Sequence, residues 1–169
     1  PVTGSGGMLM GSIAKIGSAL QDRKDIKVGD RIASLVSLSL TPLHIEEILA
    51  VHPETDRVDI KGQAILFESG IYAKLPDDMP EALALAALDV AGAPAQTANI
   101  VKPGDSVLIL GAGGKSGMLC GYEAMKRVGP CGNVVGMSRN NRPEKTLLDN
   151  HFVHKFFVAD AANPVEVLE

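Results

Sequence analysis

The sequence predicts an α/β protein with a β-rich first half and a doubly wound parallel sheet in its second half. From Ser106 onward, apolar strand segments alternate with helical ones in the order strand, helix, strand, helix, strand, which is the pattern of a parallel sheet. Before Pro76, the apolar runs are short and are separated by turn residues. We therefore expect two domains, residues 1–88 and 89–169.

The first half combines short strands with one predicted helix. Thr41 followed by Pro42 is typical of a helix start, because threonine caps the first turn and proline fits it. Ile45, Ile48 and Leu49 would then share one helical face. The predicted strands are Met8–Ile16, Arg31–Leu38, Val58–Gly62, Ala64–Phe67 and Ile71–Leu75.

The second half begins after the break at Pro76–Pro80, with one helix over Glu81–Val90 and another that ends near Ile100. The strand Ser106–Leu110 is a continuous apolar run, which predicts burial on both of its faces. A helix through Arg127 and the strands Val134–Met137 and Lys155–Ala159 complete the predicted order.

Composition narrows the class of protein. A net charge of −4 gives no electrostatic footprint for nucleic acid or an anionic membrane. The only two cysteines, Cys120 and Cys131, fit a reducing compartment rather than a disulfide framework. The longest apolar run, Ala82–Ala95, is interrupted by Asp89 and is too short for a membrane span. We expect a cytoplasmic protein, and a first residue that is not methionine suggests part of a longer chain.

The segment between the first strand of the second half and its helix is rich in glycine. Glycines there permit a sharp turn and let the backbone approach a pyrophosphate, whose charge would lie at the helix N-terminus. A P-loop would need a glycine at the position of Ile109, so its spacing fails. The alternative is a tight connection with no ligand. The residues predicted to bind a dinucleotide here are Gly111, Ala112, Gly113, Gly114, Lys115, Ser116 and Gly117.

The end of the second strand predicts which nicotinamide dinucleotide is bound. An NAD-selective domain usually carries an acid there for the ribose hydroxyl, whereas this chain has Ser138, Arg139 and Asn140. A serine hydroxyl and a guanidinium suit a 2′-phosphate, so NADP is predicted over NAD. The alternative is that Arg139 and Arg142 are ordinary solvated charges. Asp160, after the third strand, completes the predicted cofactor-binding set.

Four stretches in this order resemble the medium-chain dehydrogenase/reductase superfamily: Gly11–Gly17, Val28–Ile32, Tyr72–Asp77 and Lys102–Val107. The resemblance implies the C-terminal part of a GroES-like substrate domain over residues 1–88. It also implies the N-terminal part of a Rossmann dinucleotide-binding domain over 89–169. Substrate would lie in the cleft between the two domains, and the full-length protein would be a homo-oligomer.

Three further stretches resemble a narrower family, the amino acid dehydrogenases of lysine fermentation: Leu35–Leu43, Ile65–Asp78 and Leu88–Gln96. This resemblance implies NAD(P)-dependent oxidative deamination of the 3-amino group of L-erythro-3,5-diaminohexanoate. The products would be 5-amino-3-oxohexanoate and ammonia. A quinone or enoyl reductase without zinc, and a non-catalytic NADP-binding protein, remain alternatives.

Zinc enzymes of the superfamily carry a Gly-His-Glu motif where this chain has Gly6, Gly7 and Met8, and a cysteine ligand near the position of Ala86. Zinc catalysis needs at least three ligands around an open position, so a zinc-independent enzyme is predicted. The four histidines, His44, His52, His151 and His154, are interpreted as surface or packing residues.

The catalytic base is not identified by any motif. Oxidation of an amine needs a base, because the ammonium must lose a proton before hydride leaves the carbon. Asp89, near the domain junction, is the first candidate, and capping of the following turn is its alternative role. Glu68 and Ser39 are weaker candidates.

Overall fold

The computed structural model describes residues 7–34 and 41–168. The chain divides into two compact units, residues 1–88 and 89–169, which we call the first and second unit. The strands are β1 (Leu9–Ser12), β2 (Arg31–Ser34), β3 (Leu43–His52), β4 (Arg57–Ala64), β5 (Tyr72–Lys74), β6 (Ser106–Leu110), β7 (Asn133–Ser138) and β8 (Lys155–Val158). The helices are α1 (Glu81–Asp89), α2 (Gly92–Ile100), α3 (Lys115–Val128), α4 (Glu144–Asp149) and α5 (Pro164–Leu168).

The first unit is built on an antiparallel sheet in the order β1-β2-β5. The buried residues of this sheet lie on the central strand β2. Its Ala33 packs with Leu75 and with Ala84 of α1 in a small core. Of the predicted strand Arg31–Leu38, the part beyond Ser34 lies outside the described residues.

The first unit also contains a hairpin of β3 and β4, and here the helix prediction is wrong. Ile45 and Ile48 lie on strand β3, opposite Gly62 and Ile60 of β4. Register irregularities between Ile45 and Glu47 and between Ile48 and Ala50 each add a residue to β3. Apolar residues three apart therefore reach the same face of the hairpin, and their spacing imitates that of a helix.

A second correction follows the hairpin. β4 ends at Ala64, and the segment predicted as a strand over Ala64–Phe67 continues as a loop. Its one ladder-like bond joins the Ile65 amide to the Pro42 carbonyl at 2.9 Å, and Ile65 and Phe67 are exposed. The apolar composition of the run was therefore a poor guide to pairing, since strands need partners as well as propensity.

The second unit is a parallel sheet in the order β6-β7-β8 with helices between the strands, as predicted. Its core joins the sheet to α3 and α4, and the buried members are Ile109, Ala112, Ala124, Val128, Val134, Leu147 and Val153. Cys120, on the helix after the glycine loop, packs against this core. The order of strands places the ends of β6, β7 and β8 side by side.

Strand β6 departs from the prediction that both of its faces are buried. Ile109 is 8% exposed and packs in the core, whereas Leu108 and Leu110, which alternate with it, are 46% and 56% exposed. A continuous apolar run shows that both faces of a strand could be buried, but it does not show whether another segment covers each face.

Across the described residues, no helix is long and apolar enough to cross a membrane.

Candidate functional site

The glycine loop after β6 is held in place by main-chain hydrogen bonds. Gly111 has a φ of +75°, which a residue with a side chain rarely adopts. The amides of Gly111 and Ala112 both donate to the Met137 carbonyl of β7, each at 2.9 Å, and the Gly114 amide donates to the Gly111 carbonyl at 3.0 Å. The loop is therefore a fixed turn tied to the neighbouring strand.

The first turn of helix α3 packs very closely against this loop. A Cβ atom on Gly117 would lie 2.3 Å from the Gly111 carbonyl oxygen and 2.7 Å from the Ala112 Cα. Only a glycine fits there, because both neighbours are backbone atoms. Gly117 and the fully buried Ala112 thus shape the loop from within.

The first turn of α3 has amides without protein acceptors. No side chain caps the helix at Gly114, and the first described bond back to the loop is from the Met118 amide to the Gly114 carbonyl, at 2.9 Å. Among the described residues, the amides of Lys115, Ser116 and Gly117 donate to no group outside the helix. Free amides and the positive end of the helix dipole favour an anion at this point.

The second strand meets the loop through Ser138. Its Oγ accepts a hydrogen bond from the Gly113 amide at 3.2 Å. A Cβ atom on Gly113 would lie 2.5 Å from the Pro143 Cγ, so glycine is also needed here for the loop to approach the start of α4. Ser138 and Gly113 therefore join the first two strand ends into one surface.

Two arginines follow Ser138. Asn140 accepts a hydrogen bond from the Arg142 amide at its Oδ1, at 3.1 Å, which shapes the turn between Arg139 and Arg142. Both arginines are exposed. Among the described residues, neither guanidinium is in an ion pair, so both keep their donors available for an anionic ligand.

The strand ends enclose a cleft of about 860 Å³. Of the residues predicted to bind the cofactor, Gly111, Gly113, Gly114, Ser138, Arg139, Asn140 and Asp160 line it. Ala112, Lys115, Ser116 and Gly117 are not in its lining, and they contribute the buried turn and the helix start instead. The sequence prediction did not include the lining residues Met118, Met137, Arg142, Pro143, Thr146, Ala161 and Ala162.

Of these, Arg142 had a signal in the sequence, as a second arginine close behind Arg139. Pro143 and Thr146 reach the cleft because α4 starts there, which depends on the packing of α4 rather than on a motif. Met118 and Met137 give the cleft apolar walls. The lining thus combines an apolar floor, two cations and one acid.

The catalytic candidates lie apart from the cleft lining. Asp89 is the last residue of α1, with half of its side chain exposed, and its carboxylate pairs with Lys115 at 3.3 Å. This pair places an acid next to the first residue of α3, where a helix does not favour a cation. Glu68 is exposed, and Ser39 lies outside the described residues.

The histidines have structural partners rather than a shared site. His44 and His52 both lie on β3, not beside a helix, and His52 Nε2 lies 3.1 Å from Asp59 Oδ2. His154 accepts a hydrogen bond from the buried Val134 amide at its Nδ1, at 2.9 Å. His151 is exposed, with a φ of +54°.

No metal cluster is found in the part of the chain that the structure describes, where no three His, Cys, Asp or Glu side chains are grouped for an ion. Gly7 and Met8 lie directly before β1, and Ala86 lies on α1. Gly6, the remaining position of the zinc motif, is outside the described residues.

The arrangement can therefore bind an extended, anionic ligand. The free amides of α3 suit a pyrophosphate, and Ser138 with Arg139 and Arg142 suits a second phosphate or a ribose. The glycines that leave no room for a Cβ let the loop pack closely against the start of α3 and against Pro143. The residues present fit a dinucleotide cofactor.

Comparison with known proteins finds matches both to the sequence and to the fold of this chain. A family model described as the L-erythro-3,5-diaminohexanoate dehydrogenase N-terminal domain matches residues 1–76. The L-erythro-3,5-diaminohexanoate dehydrogenase of Acetoanaerobium sticklandii is 69% identical over 169 residues, which is 100% of this chain and 49% of that protein. The protein of the same name from Fusobacterium nucleatum subsp. nucleatum is 64% identical over 168 residues, 99% of this chain and 49% of its own length.

Solved structures with the same fold are much more distant in sequence. A human synaptic vesicle membrane protein VAT-1 homolog-like protein aligns with a TM-score of 0.60 and 19% identity, over 98% of this chain and 45% of that one. The quinone oxidoreductase of Escherichia coli, solved with NADPH, aligns with a TM-score of 0.57 and 18% identity, over 97% of this chain and 43% of that one. The chain spans about half the length of the curated relatives it matches. Along its whole length this chain is similar in sequence to the L-erythro-3,5-diaminohexanoate dehydrogenases, and its fold is similar to that of the VAT-1 homolog-like protein and the quinone oxidoreductase.

Proposed function

We propose that this chain forms part of a nicotinamide-dependent dehydrogenase that oxidatively deaminates the 3-amino group of L-erythro-3,5-diaminohexanoate. The products are 5-amino-3-oxohexanoate and ammonia. The observation that carries the proposal is the 69% identity to a dehydrogenase of that name along the whole of this chain. The cleft at the strand ends supports the cofactor part of the proposal independently of sequence identity.

The cofactor is held at the ends of β6 and β7 in this proposal. The free amides at the start of α3 bind the pyrophosphate, and the positive end of the helix dipole favours its charge. A nicotinamide dinucleotide bound there supplies the hydride acceptor for the substrate carbon. The protein's own contribution is to fix the cofactor's position and to exclude water from it.

We propose NADP rather than NAD as the preferred cofactor. No acid directly follows β7, and Ser138 with Arg139 and Arg142 offers a hydroxyl donor and two cations to a 2′-phosphate. We further propose that the enzyme works without zinc, because Gly7 stands where the superfamily's zinc enzymes have a histidine ligand and Ala86 stands near the position of their cysteine ligand.

The cofactor preference is tested by calorimetric titration of the chain with NADP and with NAD. Arg139→Ala should weaken NADP binding roughly tenfold or more, because a charge-assisted hydrogen bond is lost, and should leave NAD nearly unaffected. Arg127→Ala is the matched control. This substitution also removes one positive charge, but from a residue that pairs with Glu123 on α3 and does not line the cleft. Equal losses for the two cofactors with Arg139→Ala would contradict the 2′-phosphate assignment.

The reaction is tested by incubating the protein with 3,5-diaminohexanoate and either cofactor. Reduced nicotinamide is followed by absorbance and ammonia by a coupled assay. Equal amounts of both products would support oxidative deamination. Cofactor binding without turnover of this amine would redirect the proposal to another substrate or to a binding role, and loss of activity on dialysis against a chelator would contradict zinc independence.

A further inference from the structure

Asp160 is the one acidic residue in the lining of the cleft, and the loop around it is tightly ordered. Its amide donates to Glu166 Oε2 at 2.9 Å, and its carbonyl accepts from the Asn163 amide at 2.9 Å. Its Oδ1 accepts from the Ala162 amide at 3.0 Å. Asn163 also donates to Glu166 Oε1 at 2.7 Å, which closes the loop.

These bonds leave one group of Asp160 unused. Its amide, its carbonyl and Oδ1 all have protein partners, whereas Oδ2 has none among the described residues. Arg139 and Arg142 line the same cleft, yet Asp160 is in no ion pair within the described part of the chain. A fixed carboxylate oxygen in a cleft can only accept hydrogen bonds, so it fits a ligand group that donates.

The sheet topology indicates which part of a dinucleotide reaches this oxygen. The pyrophosphate position lies at the end of β6, and the ribose position lies at the end of β7, where Ser138 is. Strand β8 is the next in the sheet, with Val158 paired to Ser138, and Asp160 lies two residues further on. A dinucleotide that follows the strand ends in this order therefore presents its base beside Asp160.

We propose that Asp160 selects the base of the dinucleotide, by accepting a hydrogen bond at Oδ2 from the exocyclic amino group of adenine. This inference rests on the proposed cofactor site. Hypoxanthine carries a carbonyl oxygen in place of that amino group, and two acceptors that face each other repel. Asp160 is thus a specificity-determining residue for adenine dinucleotides.

The test compares NADPH with its hypoxanthine analogue, by calorimetric titration of the full chain and its variants. The wild type should bind NADPH about tenfold more tightly than the analogue. Asp160→Asn keeps an oxygen for the Ala162 amide and places an amino group where Oδ2 was. That variant should lose the preference for adenine, because its amino group can donate to the hypoxanthine carbonyl.

Asp149→Asn is the matched control, because Asp149 is an exposed acid of α4 that pairs with Lys145 outside the cleft lining. It should leave the ratio of the two affinities unchanged. Equal affinities for the two bases in the wild type would overturn the base assignment alone. A change in the NAD to NADP ratio with Asp160→Asn, at a constant base ratio, would place the carboxylate at the ribose and also overturn it. A wild type that binds neither dinucleotide would overturn the proposed cofactor site and this inference with it.

Discussion

The two units of this chain differ in how much of their apolar surface is covered. The second unit packs its sheet against α3 and α4 through a continuous core that includes the fully buried Leu147. In the described part of the first unit, the core cluster has three buried members, and the hairpin leaves Ile48 60% exposed. The apolar pattern predicts the order of strands and helices correctly in the second unit, but it predicts a helix where the first unit has the hairpin.

The difference shows what a hydrophobic pattern can establish. In the second unit, α3 and α4 cover one face of the sheet, and there local pattern and tertiary packing agree. In the hairpin, the pattern is set by two register irregularities in β3, which no propensity scale records. Paired variants, one in each unit or at two sites of one unit, test this contrast.

Truncation of a core residue should separate the units most clearly. Leu147→Ala should destabilise the second unit by about 3 kcal/mol, because it removes a fully buried side chain and leaves a cavity. Ile48→Ala in the hairpin should cost less than about 1 kcal/mol, because most of that side chain is exposed. Urea unfolding followed by hydrogen exchange in peptides of each unit measures both, and equal losses would remove the contrast.

A glycine pair within one loop tests the close packing of the second unit. Gly117→Ala should cost roughly 1–3 kcal/mol, since its Cβ would meet backbone atoms that cannot move aside. Gly114→Ala should cost less, about 0.5–1 kcal/mol, because the nearest atom to its Cβ would be 3.5 Å away and only the weaker N-cap preference of alanine is lost. Thermal unfolding of the two variants provides the comparison, and similar melting points would show that the loop relaxes easily.

A histidine pair compares a side chain that accepts a hydrogen bond from a buried amide with an exposed side chain on the hairpin. His154→Ala leaves the amide of the buried Val134 without its acceptor, so the second unit should lose about 1–2 kcal/mol. His44→Ala on the exposed side of the hairpin should have little effect on the first unit. Hydrogen exchange at the Val134 amide reports the first change directly, and unchanged protection there would show that water replaces the imidazole.

The smallest expected effect is the acid sensitivity of the first unit. A hydrogen bond from Arg23, supported by one from Tyr72, holds the pKa of the Asp25 carboxyl well below its usual range. The folded pKa is thus below the unfolded value of about 3.9, so the stabilisation is present above that pH and is lost as the pH falls through the folded pKa. Asp25→Asn should remove this dependence.

The acid sensitivity should differ between the units. In the first, bonds from Lys74 and then the Lys27 amide lower the pKa of Asp30, and bonds from Arg57 and then His52 lower that of Asp59. In the described part of the second unit, Glu123 is the corresponding group, with a pKa lowered by Arg127 and then Lys126. Urea midpoints measured on each unit between about pH 5 and pH 2 should fall further for the first unit. An equal fall would contradict the assignment.

The second unit could be predicted almost entirely from sequence, because its signals are local. Ser106–Leu110 was predicted with the bounds that the structure has, and the glycine loop lies where the strand meets α3. The cleft residues that follow a strand directly, such as Ser138 and Arg139, were also predicted. Pro143 and Thr146 were not, since they enter the lining only through the packing of α4 against the sheet.

The prediction was weakest in the first unit and for catalysis. The Thr41-Pro42 pair has the chemistry of a helix start, but the chain pairs β3 with β4 instead, so the tertiary context overrides local propensity. Asp89 is predicted as a candidate catalytic base, and the structure places it half exposed beside Lys115. A side chain's burial depends on distant segments, which a reading of neighbouring residues does not include.

The hydrogen bonds that fix the glycine loop also affect the rate and the free energy of ligand binding. The amides of Gly111, Ala112, Gly113 and Gly114 already have acceptors within the protein, so none of them must be reoriented when an anion arrives. A loop that is ordered in advance loses little conformational entropy on binding, and this saving appears as affinity. Association should therefore proceed in a single kinetic phase at a rate set by encounter, with no slow rearrangement to follow.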